Sequence, residues 1–158
     1  MARWKLNYKE GDWFAVPLKD GSFGIGLAAR VFSRGGVLGY FFGPKRSSLP
    51  SLEELEVLIP NQAVTAFMFG DLHLLENKWL ILGRRGPWNK ADWPIPAFGF
   101  QEPITKRTYK RVYSEDDLDL WEHQIPISLE EYQKLSSDGL YGAGAAESHL
   151  NRLLNKSK

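Results

Sequence analysis

The chain has 158 residues, of which 43% are hydrophobic and 25% charged, with a formal net charge of +1 and no cysteine. This length predicts a single domain over residues 1–158 that is large enough to fold around its own core. The balanced charge excludes a uniformly basic nucleic-acid binder, and the lack of cysteine excludes disulfides, thiolate metal sites and cysteine nucleophiles.

No apolar run approaches the ~18 residues that a membrane span needs. The first residues also lack the continuous apolar core of a signal peptide. We therefore expect a soluble, cytoplasmic protein with no membrane partner.

The first third of the sequence has the alternation of a β meander. Strands are predicted at residues 13–18, 23–32 and 37–42. Asp20-Gly21 is a hairpin turn signal between the first two strands, residues 33–36 form a second turn, and Gly43-Pro44 is predicted to end the third strand. Because Pro17 has no N–H group, the first strand should lie at an edge or stop there.

The second predicted strand has one bulky and one small face. Phe23, Ile25, Leu27, Ala29 and Val31 alternate with Gly24, Gly26, Ala28 and Arg30. A face lined by glycine allows another group to come close, so this pattern predicts a bent strand with tight packing on its small side.

Two short helices are predicted from the residues that would begin them. Ser51 with Glu54, and Ser128 with Glu131, fit the capping box that opens a helix. A weaker amphipathic helix is predicted at residues 145–154, after a flexible joint at 141–144.

The middle of the chain returns to strands. We predict a strand at residues 63–69, a hairpin whose arms are 72–75 and 79–82, a proline-rich loop at 84–96 and a strand at 105–113. The expected fold class is α+β and β-rich: a strongly bent antiparallel sheet, or a partly open SH3-like barrel, with two or three short helices.

One run of acidic residues follows the last predicted strand. Five carboxylates within eight positions could hold a general acid/base pair, form a solvated loop or make an acidic contact surface; they are Glu115, Asp116, Asp117, Asp119 and Glu122, with Trp121 among them. No nucleophile motif and no P-loop accompanies them, so we expect no catalytic residues and no enzyme.

Basic residues also cluster around aromatic ones, a pattern that holds single-stranded nucleic acid. Two groups occur: Arg84, Arg85 and Lys90 around Trp88, and Lys106, Arg107, Lys110 and Arg111 around Tyr109. They could equally form solvated faces paired with the nearby acids, and a nucleic-acid footprint needs a net basic face. Nucleic acid is therefore an unlikely partner by this reading.

The sequence contains patterns that could indicate a cofactor or a metal site, but their surroundings do not meet the requirements of such a site. The string from Gly24 to Ala29 matches a dinucleotide-binding pattern, but it lies within an alternating strand and not between a strand and a helix. Asp71 and His73 could share a strand face, yet no third ligand is identifiable, and His123 and His149 lie far from them in sequence. We expect no cofactor and no metal.

Four stretches in fixed order carry a family likeness. They are residues 8–18 with Asp20-Gly21 and residues 24–26; residues 37–44; residues 69–74 with Trp79 and Gly83; and Trp88-Asn89 with residues 93–98. This pattern resembles the immunity protein 26 family of bacterial polymorphic toxin systems. The likeness covers residues 8–100 and departs at His73, where the family pattern has a small residue; residues 101–158 form a C-terminal extension that it does not cover.

The resemblance implies a β-rich protein without enzymatic activity that binds and neutralises a cognate toxin domain, as a monomer or weak dimer. Immunity proteins act by occupying a toxin surface, for which the acidic run, with Trp121 as anchor, is the preferred candidate. The second candidate interface is the loop with Arg84, Arg85, Trp88 and Trp93. The competing interpretation is a small β-barrel module that binds nucleic acid or a small ligand.

Overall fold

The computed structural model describes residues 6–32 and 35–156, so Ser33 and Arg34 of the second predicted turn lie outside the described residues. The strands in chain order are β1 (Trp13–Pro17), β2 (Phe23–Val31), β3 (Gly36–Arg46), β4 (Thr65–Gly70), β5 (Leu80–Gly83), β6 (Phe98–Gln101), β7 (Thr108–Val112), β8 (His123–Pro126) and β9 (Leu140–Tyr141). The α-helices are α1 (Leu52–Leu55), α2 (Leu72–Leu75), α3 (Leu129–Gln133) and α4 (Ala143–Lys156).

Within the described ranges, the strands form one six-stranded and one three-stranded sheet. The larger sheet has the order β5-β1-β2-β3-β4-β9, antiparallel except for the β4–β9 pair, and the smaller has the order β6-β7-β8. The larger sheet ends at β5 on one side and β9 on the other, so it does not close into a barrel. Register shifts between β1 and β5 and between β2 and β3 are the bulges that bend such a sheet. Of the two predicted architectures, the bent antiparallel sheet is confirmed.

The larger sheet is buried on both faces. Phe67 and Phe69 of β4 face one cluster together with Leu150 of α4, whereas Met68, between them, faces a second cluster with Phe98 of β6. Because successive strand residues point to opposite sides, a strand covered on both sides is apolar at every position. The sheet is therefore the middle layer of the protein, with α4 on one side and the smaller sheet on the other.

The small face of β2 is where aromatic rings approach most closely. A Cβ atom at Gly26 would lie 3.0 Å from the Phe41 ring and closer still to Phe14. The ring centroids of Phe14 and Phe41 are 5.8 Å apart and nearly perpendicular, a favourable geometry for aromatic pairs. The tight packing predicted for this face is confirmed.

The predicted face pattern of β2 is wrong beyond Ala29, which still lies in one cluster with Ile25 and Leu27. The β2–β3 register shifts between Ala28 and Arg30, which moves Val31 to the α4 side of the sheet. A one-residue shift exchanges the faces of every later side chain. Strict alternation in the sequence gives no sign of such a bulge.

The helix signals are confirmed at α1 and α3. The Ser51 hydroxyl accepts from the Glu54 N–H while the Glu54 carboxylate accepts from the Ser51 N–H, and the Ser128 hydroxyl accepts from the Glu131 N–H. Helix α4 begins at Ala143, so the predicted flexible joint at 141–144 is wrong; Tyr141 pairs with β4 and Gly144 is helical.

Four further expectations were wrong or incomplete. Residues 72–75 form the short helix α2 and not a hairpin arm, strand β3 continues past Gly43-Pro44 to Arg46, and β6 and β8 had no clear signal. Strand β1 is interior, since it pairs with both β2 and β5, and it ends at Pro17 as the second predicted option required.

Replacement of Gly26 by alanine should destabilise the fold, because the new methyl group must displace the Phe14 ring. We expect Gly26→Ala to lower the free energy of unfolding by about 1–3 kcal/mol in urea titrations. The matched control is Gly144→Ala on α4, where a Cβ meets no atom within 4 Å; there alanine should raise the free energy of unfolding by about 0.5–1 kcal/mol. Equal effects of the two changes would contradict the packing described for Gly26.

Candidate binding surface

The acidic residues lie on a loop, residues 114–122, that we call the acidic loop. It leaves β7 and leads toward β8. Its first carboxylate, Glu115, accepts from Arg30 of β2 through Nε at 2.9 Å and through Nη2. The Arg30 side chain is only 2% exposed and also donates to the carbonyl oxygens of Ala29 and Lys90. Glu115 thus ties the acidic loop to the centre of the larger sheet.

The ion pair with Arg30 alters the acidity of Glu115. The Arg30 hydrogen bonds hold the pKa of this carboxyl below its usual value, with a further contribution from Lys90, whose Nζ lies 3.8 Å away. A buried guanidinium needs a charged partner, and Glu115 is that partner for Arg30. Of the five predicted acidic residues, this one is committed to structure.

Trp121 is half-buried and lies beside a second charged group. The Arg111 guanidinium is 5.1 Å from the Trp121 ring and 3.6 Å from the Phe100 ring. Arg111 also donates to Asp138 at 2.9 Å, and the other Asp138 oxygen accepts from the Tyr113 hydroxyl. Burial and the Asp138 carboxylate raise the pKa of Tyr113, so this hydroxyl remains a donor. Trp121 therefore packs the end of the acidic loop against Arg111, whose guanidinium is already bonded to Asp138.

The remaining acidic side chains are exposed. Asp116, Asp117 and Asp119 have no cationic partner among residues 6–32 and 35–156, and Glu122 has His123 at 3.2 Å. Leu120 lies among them and is 64% exposed. We call this group the acidic surface: Asp116, Asp117, Asp119, Leu120 and Glu122.

A cleft of about 220 Å³ opens beside the acidic surface. Apolar side chains and two carboxylates line it; the lining consists of Phe32, Gly36, Met68, Tyr113, Leu118, Asp119, Asp138, Gly139 and Leu140. Its floor belongs to the larger sheet and its walls to the segments after β7. Asp138 and Leu140 could not be predicted at this site, because neither lies in a motif that indicates binding.

The second candidate interface divides into buried and exposed parts. Trp93 is only 6% exposed and packs against Trp13, with ring centroids 6.1 Å apart. It is therefore part of the core and fastens the proline-rich loop to the sheet. As the fold stands, its ring is not available as an anchor for a partner.

The remaining residues of that loop are partly engaged. Trp88 is half-buried and donates to Glu10 at 3.0 Å, with the Arg84 guanidinium 5.1 Å from its ring. Arg85 is exposed and lies 3.7 Å from Glu53. Of the four residues of the second candidate interface, only Arg85 is exposed, and it lies among charges of both signs.

The residues considered as metal ligands have other contacts. The Asp71 carboxylate accepts from the Tyr8 hydroxyl at 2.6 Å, and His73 Nδ1 lies 2.7 Å from Glu147. In the described part of the chain, no three His, Asp or Glu side chains are grouped so that they could hold a metal ion. No helix among those residues has the length and apolar character needed to span a membrane.

Comparison with known proteins identifies the family of this chain. The model of the immunity protein 26 family matches residues 9–110, about two-thirds of the chain. The chain belongs to this family. No curated protein and no solved structure matches it significantly. The family match ends within β7, so the acidic loop and most of the cleft wall lie beyond it.

Replacement of Glu115 by glutamine should destabilise the fold by about 2 kcal/mol at pH 7, measured by urea unfolding. The loss should be smaller than the ~3–5 kcal/mol of a fully buried broken pair, because the Glu115 side chain is 43% exposed. Asp116→Asn, one residue away, should change the free energy of unfolding by less than about 0.5 kcal/mol.

The same pair predicts a pH dependence. The pKa of Glu115 is lowered in the folded protein, so its contribution is complete above the ordinary value of about 4.3 and is lost as the pH falls through the folded value. The difference in free energy of unfolding between the wild type and Glu115→Gln should therefore disappear as the pH is lowered. A difference that stays constant down to pH 3 would contradict the ion pair.

Proposed function

We propose that this member of the immunity protein 26 family binds a cognate bacterial toxin domain and neutralises it by covering the toxin surface that its substrate must reach. The family match over residues 9–110 is the observation that carries the proposal. The protein acts in the cytoplasm, as a binding partner and without a reaction of its own. The partner is a protein, and this chain binds it as a monomer or weak dimer.

The acidic surface is the proposed toxin contact. Three of its carboxylates have no cationic partner within the described residues, so they are free to meet basic groups of a toxin. Toxins that act on nucleic acid have basic clefts, and opposite charges speed association and disfavour wrong partners. Leu120, exposed among these charges, adds apolar area of the kind that lengthens the life of a complex.

Its position in the chain supports the same choice. An immunity protein must share a fold with its relatives and yet recognise its own toxin. The acidic surface lies beyond residue 110, outside the part that matches the family, and Glu115 fixes it to the family-matched sheet through Arg30. A rigidly held surface loses little conformational entropy on binding.

The whole interface must extend beyond these few side chains. Stable protein complexes bury about 1,600 Å² in total, or about 800 Å² per partner. Leu140 on β9, which lines the cleft beside the acidic surface, is 56% exposed. It provides apolar area on the extension for such a footprint.

The loop with Arg84, Arg85 and Trp88 is the less favoured contact. Trp88 already donates to Glu10, and the backbone N–H groups of Arg85 and Gly86 donate to Glu56. A toxin would have to compete with these bonds, whereas Asp116, Asp117 and Asp119 have no cationic partner in the part of the chain that the structure describes. We assign this loop no more than a place at the margin of the interface.

The charge of the acidic surface can be removed without changing side-chain shape. Asp116, Asp117 and Asp119 are replaced together by asparagine, which keeps the Asp117 oxygen that accepts from the Asp119 N–H. We expect association with the toxin domain encoded beside this gene to slow by about tenfold or more at low salt and to lose much of its salt dependence.

The matched control removes three charges elsewhere. Glu76, Glu130 and Glu131 are exposed and lie outside the acidic loop, so their triple replacement by glutamine should leave the association rate within about twofold of the wild type. Association rates are measured by surface plasmon resonance between about 50 and 300 mM salt. If both triple variants behave alike, net charge is responsible and this surface is not the contact.

A further inference from the structure

We infer that the cleft beside the acidic surface receives one basic side chain of the toxin, a lysine or an arginine. This inference rests on the proposed function and assigns to one site the chemistry of the group that it binds. The cleft has a volume of about 220 Å³. That is the liquid volume of about seven water molecules, enough for one large side chain.

The walls of the cleft suit an aliphatic stem. Phe32, Met68, Leu118 and Leu140 supply apolar surface. Gly36 keeps the floor open, because a Cβ there would lie 2.6 Å from the Phe32 ring and 3.1 Å from Leu140. Lysine and arginine bury their methylene groups along such surfaces while the charged end remains near polar groups.

The charges of the cleft select the occupant. Among the described residues, its lining contains two carboxylates and no lysine or arginine. Asp138 is already satisfied, since Tyr113 and Arg111 each donate to one of its oxygens. Asp119 has no cationic partner among the described residues, so it is the free negative group at this site. An apolar or acidic toxin side chain would leave that carboxylate unpaired, whereas a basic one would pair with it.

The position of the cleft fits cognate recognition. Phe32, Gly36 and Met68 belong to the part of the chain that matches the family, and the six other lining residues lie after residue 110. The common fold therefore supplies the floor, and the extension supplies Asp119 and most of the wall. Partner choice could change with the extension while the sheet stays the same.

The test separates the cleft from the charge of its surroundings. Asp119→Asn and Asp116→Asn each remove one charge from the same loop, but only Asp119 lines the cleft. The probe is the purified toxin domain encoded beside this gene, titrated by calorimetry. We expect Asp119→Asn to weaken binding by about tenfold or more and Asp116→Asn by less than about threefold.

A second pair of variants tests the cavity itself. Leu140→Trp fills the cleft, whereas Leu129→Trp adds the same bulk at a similarly exposed leucine on α3 that does not line it. Leu140→Trp should weaken binding by about tenfold or more, and Leu129→Trp by less than about threefold. Melting temperatures within a few degrees of the wild type show that both variants are folded.

The toxin side identifies the occupant. Each exposed lysine and arginine of the toxin domain is replaced by alanine and titrated against the wild type and Asp119→Asn. One toxin position should weaken binding to the wild type about tenfold yet have little further effect on Asp119→Asn, as expected for two groups in direct contact. Whether that position holds lysine or arginine decides between the two.

The outcomes also separate this inference from the proposed function. If the toxin domain binds and the members of both variant pairs behave alike, the cleft is not the site, and the proposed function stands. If the toxin domain does not bind the wild-type protein at all, the proposed function fails, and the inference fails with it. Coupling of Asp119 to an apolar toxin residue alone would also overturn the basic occupant.

Discussion

The ion pair of Arg30 with Glu115 is the contact on which the position of the acidic surface depends. Arg30 is almost fully buried in β2, where an unpaired guanidinium would carry a large desolvation cost. Its partner comes from the loop that carries the acidic surface, 85 residues later in the chain. The larger sheet is therefore more stable with the acidic loop in place. The same bond that satisfies the sheet also determines where the remaining carboxylates lie.

The larger sheet provides a rigid base for that surface because it is covered on both sides. Phe14, Phe41 and Phe69 pack under α4. On the other side, Trp13 and Trp93 lie in one cluster with Phe98 of the smaller sheet. Segment 136–141 connects the two sheets: Ser136 and Asp138 bond to Gly99 of β6, and Tyr141 pairs with β4. The cleft opens where these layers meet. A binding site made in this way is held by the core on one side and by the chain's own extension on the other.

Much of the fold could be predicted from the sequence. The strands β1 to β4, the hairpin at Asp20-Gly21, the capping box at Ser51 and the helix N-cap at Ser128 follow local rules, and the structure has them. The bulge after Ala28 could not be predicted, since it depends on pairing with β3 and not on alternation. Strand β9 could not be predicted, because two residues carry no pattern and their partner, β4, is distant in the sequence.

For the candidate site, the sequence alone could predict which charged residues lie in it but not what each of them contacts. The run of carboxylates pointed to the loop, but nothing local distinguished Glu115, which is paired with Arg30, from Asp119, which lines the cleft. An arginine in an otherwise apolar strand is itself a signal of a buried partner, although not of which acid supplies it. Trp93 and Trp121 looked alike as loop tryptophans, yet one is core and the other covers Arg111. These differences arise from contacts across long separations in sequence.

The central claim is that this protein works by occupying a partner's surface. The most direct measurement is growth of a bacterial strain that expresses the toxin domain encoded beside this gene, with and without the wild-type chain in the same cytoplasm. The account predicts that growth stops with the toxin alone and recovers when this chain is present in stoichiometric amount. Continued arrest in the presence of abundant folded protein, or recovery accompanied by chemical modification of a toxin that this chain never binds stably, would contradict it.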